Sequence, residues 1–305
     1  MEPELADRRI RAAAFDFVAQ LGRRWGEVLP LAELRRGFEL DGRRVPLIGP
    51  QGIFKPAVLD LPLSITTVPA VPGKPAPYPD QLGSDGYIHY SYRGRDPQHP
   101  DNRGLRAVMR QRLPLIYFYG VLPGQYLAQC PVLVVGDDPA RLAFTVAVED
   151  LLTSDPEIAA QLPEEARRAY VTTVARRRLH QLAFRHRVLR AYQESCAMCR
   201  LRQRDLLDAA HILPDTHPGG EPLTRNGLSL CKLHHAAFDR NIVGVRPDLV
   251  LQIRQDVLAA IDGPMLRHGL QDLHGERLVV LPRSPRDRPD PGFLEERYQL
   301  FQAAS

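Results

Sequence analysis

Between residues 196 and 239 the chain places Cys196, Cys199, Asp208, His211, Asn226, Cys231, His234, His235 and Asp239. Cys196-x2-Cys199 and Cys231-x2-His234 form two pairs at knuckle spacing. Three thiolates and an imidazole suit tetrahedral zinc, each pair wrapping the ion through a tight turn. Protein would fill all four positions, so this zinc is expected to be structural. A second set lies between the pairs. DLLDAAHILP reads as a strand ending at His211. GGEPLTRNGLSLC reads as a turn that returns through Asn226 into another strand, and KLHHAAFDRN as a short helix. On that helix His235 and Asp239 are four apart and share a face. An imidazole and a carboxylate so placed can hold a hard divalent ion, Mg²⁺ or Mn²⁺. His211, across the hairpin, can take a proton from water. The ion would offset charge on the departing 3′ oxygen of a phosphodiester. Asp208 is a further candidate, either as a ligand or as the partner of a ligand. The spacing to Cys231 assigns His234 to the zinc and His235 to the second ion.

The stretch resembles the HNH nucleases of the ββα-metal superfamily. His211, Asn226 and His235 match the three letters of the motif, and AAHI, NGLSLC and HHAAFD match around them. The resemblance spans residues 196–275. It implies His211 as general base, His235 as metal ligand, Asn226 as the residue that fixes the hairpin, and Asp239 as a second helix ligand. One position departs from the pattern. Many family members carry an acidic or histidine ligand directly before the base, where this chain has Ala210; the nearest acid on the strand is Asp208.

The surrounding composition fits a phosphate-backbone partner. Residues 164–205 hold eleven Arg against four acidic residues, a basic stripe that could track DNA. The same residues could equally form a solvated helix face. Three of the four cysteines cluster, which is a metal pattern rather than a disulfide framework and fits a reducing cytosol. Cys130, in the apolar run QCPVLVV, reads as a core residue. No signal-peptide pattern is seen, and no apolar run approaches the ~20 residues of a membrane helix. A cytoplasmic bacterial protein without membrane contact is expected.

These residues need elements to position them. The 305 residues are 44% hydrophobic, enough for two cored domains. Residues 7–25 have helical periodicity, and 28–60 contain short strand-like pieces broken by Gly and Pro. Residues 61–84 are proline-rich and read as an ordered loop lining a site. GYIHYSY, LPLIYFYGV, YLAQCPVLVVG and LAFTVAVE read as strands within 86–149, with NRGLRAVMRQR as a helix between them. A long helical pattern with an Arg-rich face covers 156–195, opening at Pro163-Glu164-Glu165. A proline- and charge-rich arm follows at 281–292, then a helix over 293–304. The division is a helical extension (1–44), a β-rich unit (45–155), a basic linker helix (156–195), the metal region (196–275) and a C-terminal arm with a helix (276–305). The fold class is α+β.

Within the β-rich unit, Tyr78 and Tyr90 have Asp80, Asp85 and Ser91 nearby. Two aromatic rings with acceptors beside them could sandwich a flipped-out base and read its Watson–Crick edge. An aspartate can accept from the exocyclic amine of cytosine, and Arg93, Arg95 and Arg103 could hold flanking phosphates. Such alternation is also common in ordinary edge strands. Tyr90-Ser91, Gly94-Arg95-Asp96 and Asn102-Arg103-Gly104-Leu105 are similar to the core signature of the SRA domain, a PUA-like β-barrel that flips and binds 5-methylcytosine. That resemblance covers roughly 45–150. It implies Tyr78 and Tyr90 as stacking partners, with Ser91 and either Asp80 or Gln81 as hydrogen-bonding partners. An SRA-like reader before an HNH nuclease is the layout of bacterial modification-dependent restriction enzymes. The expectation is therefore an endonuclease acting on double-stranded DNA that carries modified cytosine. A homodimer is plausible, because a concerted double-strand cut needs two centres. The alternatives are an HNH nuclease directed by sequence or structure alone, and a DNA-binding module without catalysis.

Overall fold

The computed structural model describes residues 3–68, 86–148, 164–214, 217–218 and 220–304. Helix α1 (Pro3–Trp25) buries Ala14, Val18 and Leu21 along one stripe, the recurrence that an amphipathic helix requires. Arg11 continues the stripe at 1% exposure. Its guanidinium is paired with Asp7 and donates to the carbonyls of Pro62 and Pro114 at 2.9 and 3.0 Å. A buried charge is tolerable only with such partners, and here they tie the helix to the chain around the sheet.

Among the described residues that sheet has seven strands: β1 (Val28–Pro30), β4 (Ile53–Phe54), β5 (Ser64–Thr66), β6 (Ile88–Ser91), β7 (Leu115–Leu122), β8 (Gln125–Asp138) and β9 (Ala143–Val148). The order is β4-β5-β7-β8-β9-β6, with β1 also pairing to β8. Only β5 and β7 run parallel; the other pairs are antiparallel. A short helix, α2 (Leu31–Arg36), and a hairpin of β2 (Phe38–Leu40) and β3 (Arg43–Val45) follow β1. Helix α3 (Pro100–Gln111) precedes β7.

The strand β8 pairs with β7 up to Val132 and with β9 from Val132 onward, with register shifts in both ladders. Such irregularities bend a strand and increase its twist. Among the described residues the result is a curled half-barrel, where the SRA resemblance implies a β-barrel. Its edges are β4 and β6, which do not pair with each other among the described residues. The core joins Ala14, Val18 and Leu21 of α1 to Leu29, Leu34, Leu47, Leu63, Ile116 and Phe118. The first 44 residues thus supply a sheet strand as well as a helix.

The chain divides into two compact units, Met1–Leu179 and His180–Ser305. The boundary falls inside one helix, α4 (Glu164–Ala191). From Phe184 onward its buried side chains Phe184, Val188 and Leu189 belong to the core of the second unit. There β10 (Leu207–His211) and β11 (Gly227–Cys231) form an antiparallel pair, and α5 (Lys232–Asp239) follows directly. A second hairpin, β12 (Val243–Val245) and β13 (Leu251–Ile253), precedes α6 (Gln255–Ala259), α7 (Pro264–Gly269) and α8 (Pro291–Ala303).

Residues on both sides of the proline-rich 281–292 segment enter this core. Leu278 and Leu294 are buried in it, and the N–H groups of Val279 and Val280 donate to the carbonyl of Ala197. Phe301 of α8 occupies the space beside Gly244, where a Cβ would lie 2.6 Å from the ring. Among the described residues no helix is long and apolar enough to cross a membrane.

Candidate metal centre and active site

Cys196, Cys199, Cys231 and His234 bring their ligand atoms within 4.8 Å of one another. His234 Nδ1 lies 3.3 Å from Cys196 Sγ and 3.2 Å from Cys231 Sγ. Tetrahedral zinc, with bonds of about 2.0–2.3 Å, sets ligand separations of roughly 3.3–3.8 Å, so the set fits that ion. The first pair turns tightly, with Arg200 N–H donating to Cys196 O and Cys196 N–H to Leu201 O. The second pair bridges the end of β11 and the first turn of α5. His234 Nε2 lies 2.8 Å from the carbonyl of Gly269. Donating there fixes the tautomer and leaves Nδ1 facing the thiols, the usual support for a ligating imidazole. Cys196 and Cys199 pull the Cys231 thiol well below its ordinary range. Burial opposes charge on His234, but its contacts with Cys196 and Cys231 prevail and hold its proton up to about 10. A metal ion would take the place of these shared protons.

The hairpin pairs His211 with Gly227 and Asp208 with Leu230. Asn226 is fully buried at the turn end. Its Oδ1 accepts from Leu213 N at 2.9 Å, and its Nδ2 donates to Leu213 O at 2.9 Å and Glu221 O at 3.1 Å. One side chain thereby closes the excursion between the two strands.

His235 projects from α5 between two carboxylates. Its Nε2 lies 3.3 Å from Asp239 Oδ2, and its Nδ1 lies 3.7 Å from Asp208 Oδ2. The acids sit on opposite nitrogens of one ring, so they do not converge on a single point with it. Among the described residues, only the cysteine-histidine set gathers three or more possible ligands that closely. Asp208 also meets Lys232 Nζ at 2.9 Å and Arg185 Nε at 3.3 Å. Burial favours protonation of Asp208, yet the bonds from His235 and Lys232 outweigh it and hold the carboxyl below the usual range. The neighbouring Asp208 carboxylate raises the pKa of His235. Asp239 is more open, with 58% side-chain exposure against 24% for His235, so their shared edge is accessible from solvent.

Three residues at this site escaped the sequence reading. Phe184 stacks on His211 with ring centroids 3.9 Å apart and planes 14° from parallel. Arg185 and Lys232 brace Asp208. The first two lie on α4, read in sequence as a basic linker helix that could track DNA, and periodicity alone marks Phe184 as core. His217, His268 and His274 contact Glu296, Asp272 and the backbone of Ile253, as surface and packing residues do.

In the first unit Tyr90 and Ser91 line a cavity of about 270 Å³ together with Gln51, Gly52, Thr66, Thr67 and Arg93. The Tyr90 hydroxyl donates to the carbonyl of Thr66 at 3.2 Å. Thr66 Oγ1 is buried without a hydrogen-bond partner. Tyr78, Asp80 and Gln81 lie outside the described residues. The three arginines expected on phosphates differ. Arg93 is ion-paired with Asp101, whereas Arg95 and Arg103 are exposed. On α4, Arg168 pairs with Glu164, and Arg187 donates to Pro222 O, so the basic stripe is only partly available to a ligand.

Residues 196–246 match the family described as HNH endonuclease. No curated protein matches the chain. Among solved structures, one titled "Modification dependent TagI restriction endonuclease" is 16% identical, with 78% of this chain and 80% of that chain covered at a TM-score of 0.29. Another, titled "Structure of the Type IV phosphorothioation-dependent restriction endonuclease ScoMcrA", is also 16% identical, with 61% and 54% covered at a TM-score of 0.23. The matched segment contains the hairpin, the helix and both ligand sets, and with it the chain carries an HNH endonuclease domain.

Proposed function

We propose that this protein is a DNA endonuclease that selects cytosine-modified DNA with its first unit and hydrolyses phosphodiester bonds with its HNH domain. The observation that carries the nuclease reading is His235, set between Asp239 and Asp208 on the helix that follows the His211 hairpin. In this reading His235 Nε2 and Asp239 hold a Mg²⁺ or Mn²⁺ ion. When bound, that ion supplies charge stabilisation for the leaving oxygen. The Asp208 carboxylate, 3.7 Å from His235 Nδ1, faces that nitrogen and so aims Nε2, rather than binding the ion itself. His211 takes the proton from the attacking water. Asn226 keeps the two strands at fixed separation, and Cys196, Cys199, Cys231 and His234 hold a structural zinc.

The base-reading half rests on the SRA resemblance and on the cavity beside Tyr90 and Ser91. Thr66, which lines it, carries a buried Oγ1 that still lacks a partner. The test is cleavage of matched plasmids, unmodified and cytosine-methylated, with Mg²⁺ or Mn²⁺ present. Cleavage confined to the methylated plasmid supports both halves. Equal cleavage of both removes the modified-base reading and leaves the nuclease. No cleavage by zinc-loaded, folded protein removes the nuclease reading. Tyr90→Ala is expected to erase the preference without removing cleavage.

A further inference from the structure

We propose that Phe184 is a positioning residue for His211, a flat plate that sets the plane of the imidazole; this rests on the reading of His211 as the general base. The rings are 3.9 Å apart at 14°, a stack that covers one face of the imidazole. Its nitrogens lie in the ring plane, away from the stacked face. Rotation of His211 about its Cβ–Cγ bond would drive the ring edge into Phe184. The plate itself is held rigidly: Phe184 is 1% exposed and packs among the core residues of its unit.

A second observation bears on the same pair. Gly227 is the strand partner of His211. A Cβ at Gly227 would lie 2.9 Å from Phe184 Cζ and 2.5 Å from Val188 Cγ2. The strand therefore carries no side chain opposite the base, and the aromatic ring from α4 enters that space. Tyr192, one turn beyond Val188, donates its hydroxyl to Gly227 O at 3.2 Å. Helix and hairpin are thus locked at the one position where the stack forms. The arrangement makes α4 a wall of the active site as well as a connector.

A Phe184 that only filled the core would leave the direction of the base unaffected by the choice of apolar residue. The test compares Phe184→Leu, which keeps apolar volume but removes the flat face, with Phe184→Tyr, which keeps the face. Single-turnover cleavage is followed across pH, with zinc content, Mn²⁺ affinity and DNA binding measured on the same samples. Phe184→Leu is expected to slow cleavage on the order of 10- to 100-fold, the scale of a misaligned reacting group, with metal and DNA binding unchanged. Phe184→Tyr restores the rate. In a His211→Ala background Phe184→Leu should cost nothing further.

Wild-type rates and an unchanged pH profile in Phe184→Leu would overturn the proposal. If His211→Ala itself cleaves normally, the base assignment fails and this proposal fails with it. Should Phe184→Leu not fold, NMR of the wild-type protein decides. The His211 ring protons, assigned by their loss in His211→Ala, should lie upfield of those of the other histidines through the Phe184 ring current. Ordinary positions for them would exclude the stack.

Discussion

At the scale of single residues, the candidate ligands depend on the side chains that support them. The two x2 pairs and the four-residue interval from His235 to Asp239 are visible without a fold. Asp208 is different, because its role depends on Arg185, Lys232 and His235, which only the fold gathers. In the proposed function the two cations on its carboxylate count against a third, and its contact with Nδ1 assigns it as the brace of His235. Asp208→Asn is therefore expected to weaken Mn²⁺ binding by 10- to 100-fold, as loss of an outer partner does. Calorimetric titration checks it, with zinc content unchanged. A loss as complete as that of His235→Ala would make Asp208 a ligand.

His186 gives a residue-scale pH test. Burial first, then Arg204 and Arg190, push it down to about 4 from 6.5. Between those values the unfolded chain binds a proton that the native protein refuses. Stability therefore falls as pH drops from 6.5 toward 4. In His186→Gln the melting temperature should depend less on pH across that window; curves parallel to wild type would contradict this.

The elements divide by how local their causes are. The strand-strand-helix order around His211 and Asn226 was legible because each piece is short and bounded by its own turn. The helices at both ends were legible from periodicity, and Phe301 beside Gly244 explains why the last one docks. The β-rich unit was less so. The curl of its sheet follows from register shifts between β7, β8 and β9, which depend on pairing partners far apart in sequence. The strands β2 to β5 are two or three residues long, too short to show alternation. Asn226 links these levels, since one amide satisfies three backbone groups that hold the hairpin excursion. Asn226→Ala leaves those groups without partners and should destabilise the second unit by about 3 kcal/mol, measured by urea unfolding. The cysteine-histidine set, a zinc site in the proposed function, acts on the same element from its other end. Removal of zinc by a chelator is expected to unfold the ββα segment and abolish cleavage, because binding energy at such a site is folding energy. Retained circular dichroism and activity in zinc-free protein would refute a structural role.

At the scale of the whole molecule, electrostatics separates affinity from choice. The net charge of +4 is modest, so the local stripe around α4 and the following knuckle matters more than the total. Not all of that stripe can reach a phosphate. Arg185 is spent on Asp208 and the carbonyl of Leu207, and Arg187 on Pro222. Arg178, Arg190 and Arg202 are exposed and are the candidates for backbone contact. Each phosphate neutralised releases counterions and adds about 0.9 to the slope of log K against log salt on duplex DNA. Arg178→Gln and Arg202→Gln should each lower that slope by about 0.9. They should weaken binding to methylated and unmethylated duplexes by the same factor, because phosphate contacts carry no base information. Binding titrations at several salt concentrations on both duplexes measure the two effects together. An unchanged slope would make the stripe a solvated surface. A changed ratio between the duplexes would place base discrimination on the basic helix and take it away from the cavity at Tyr90.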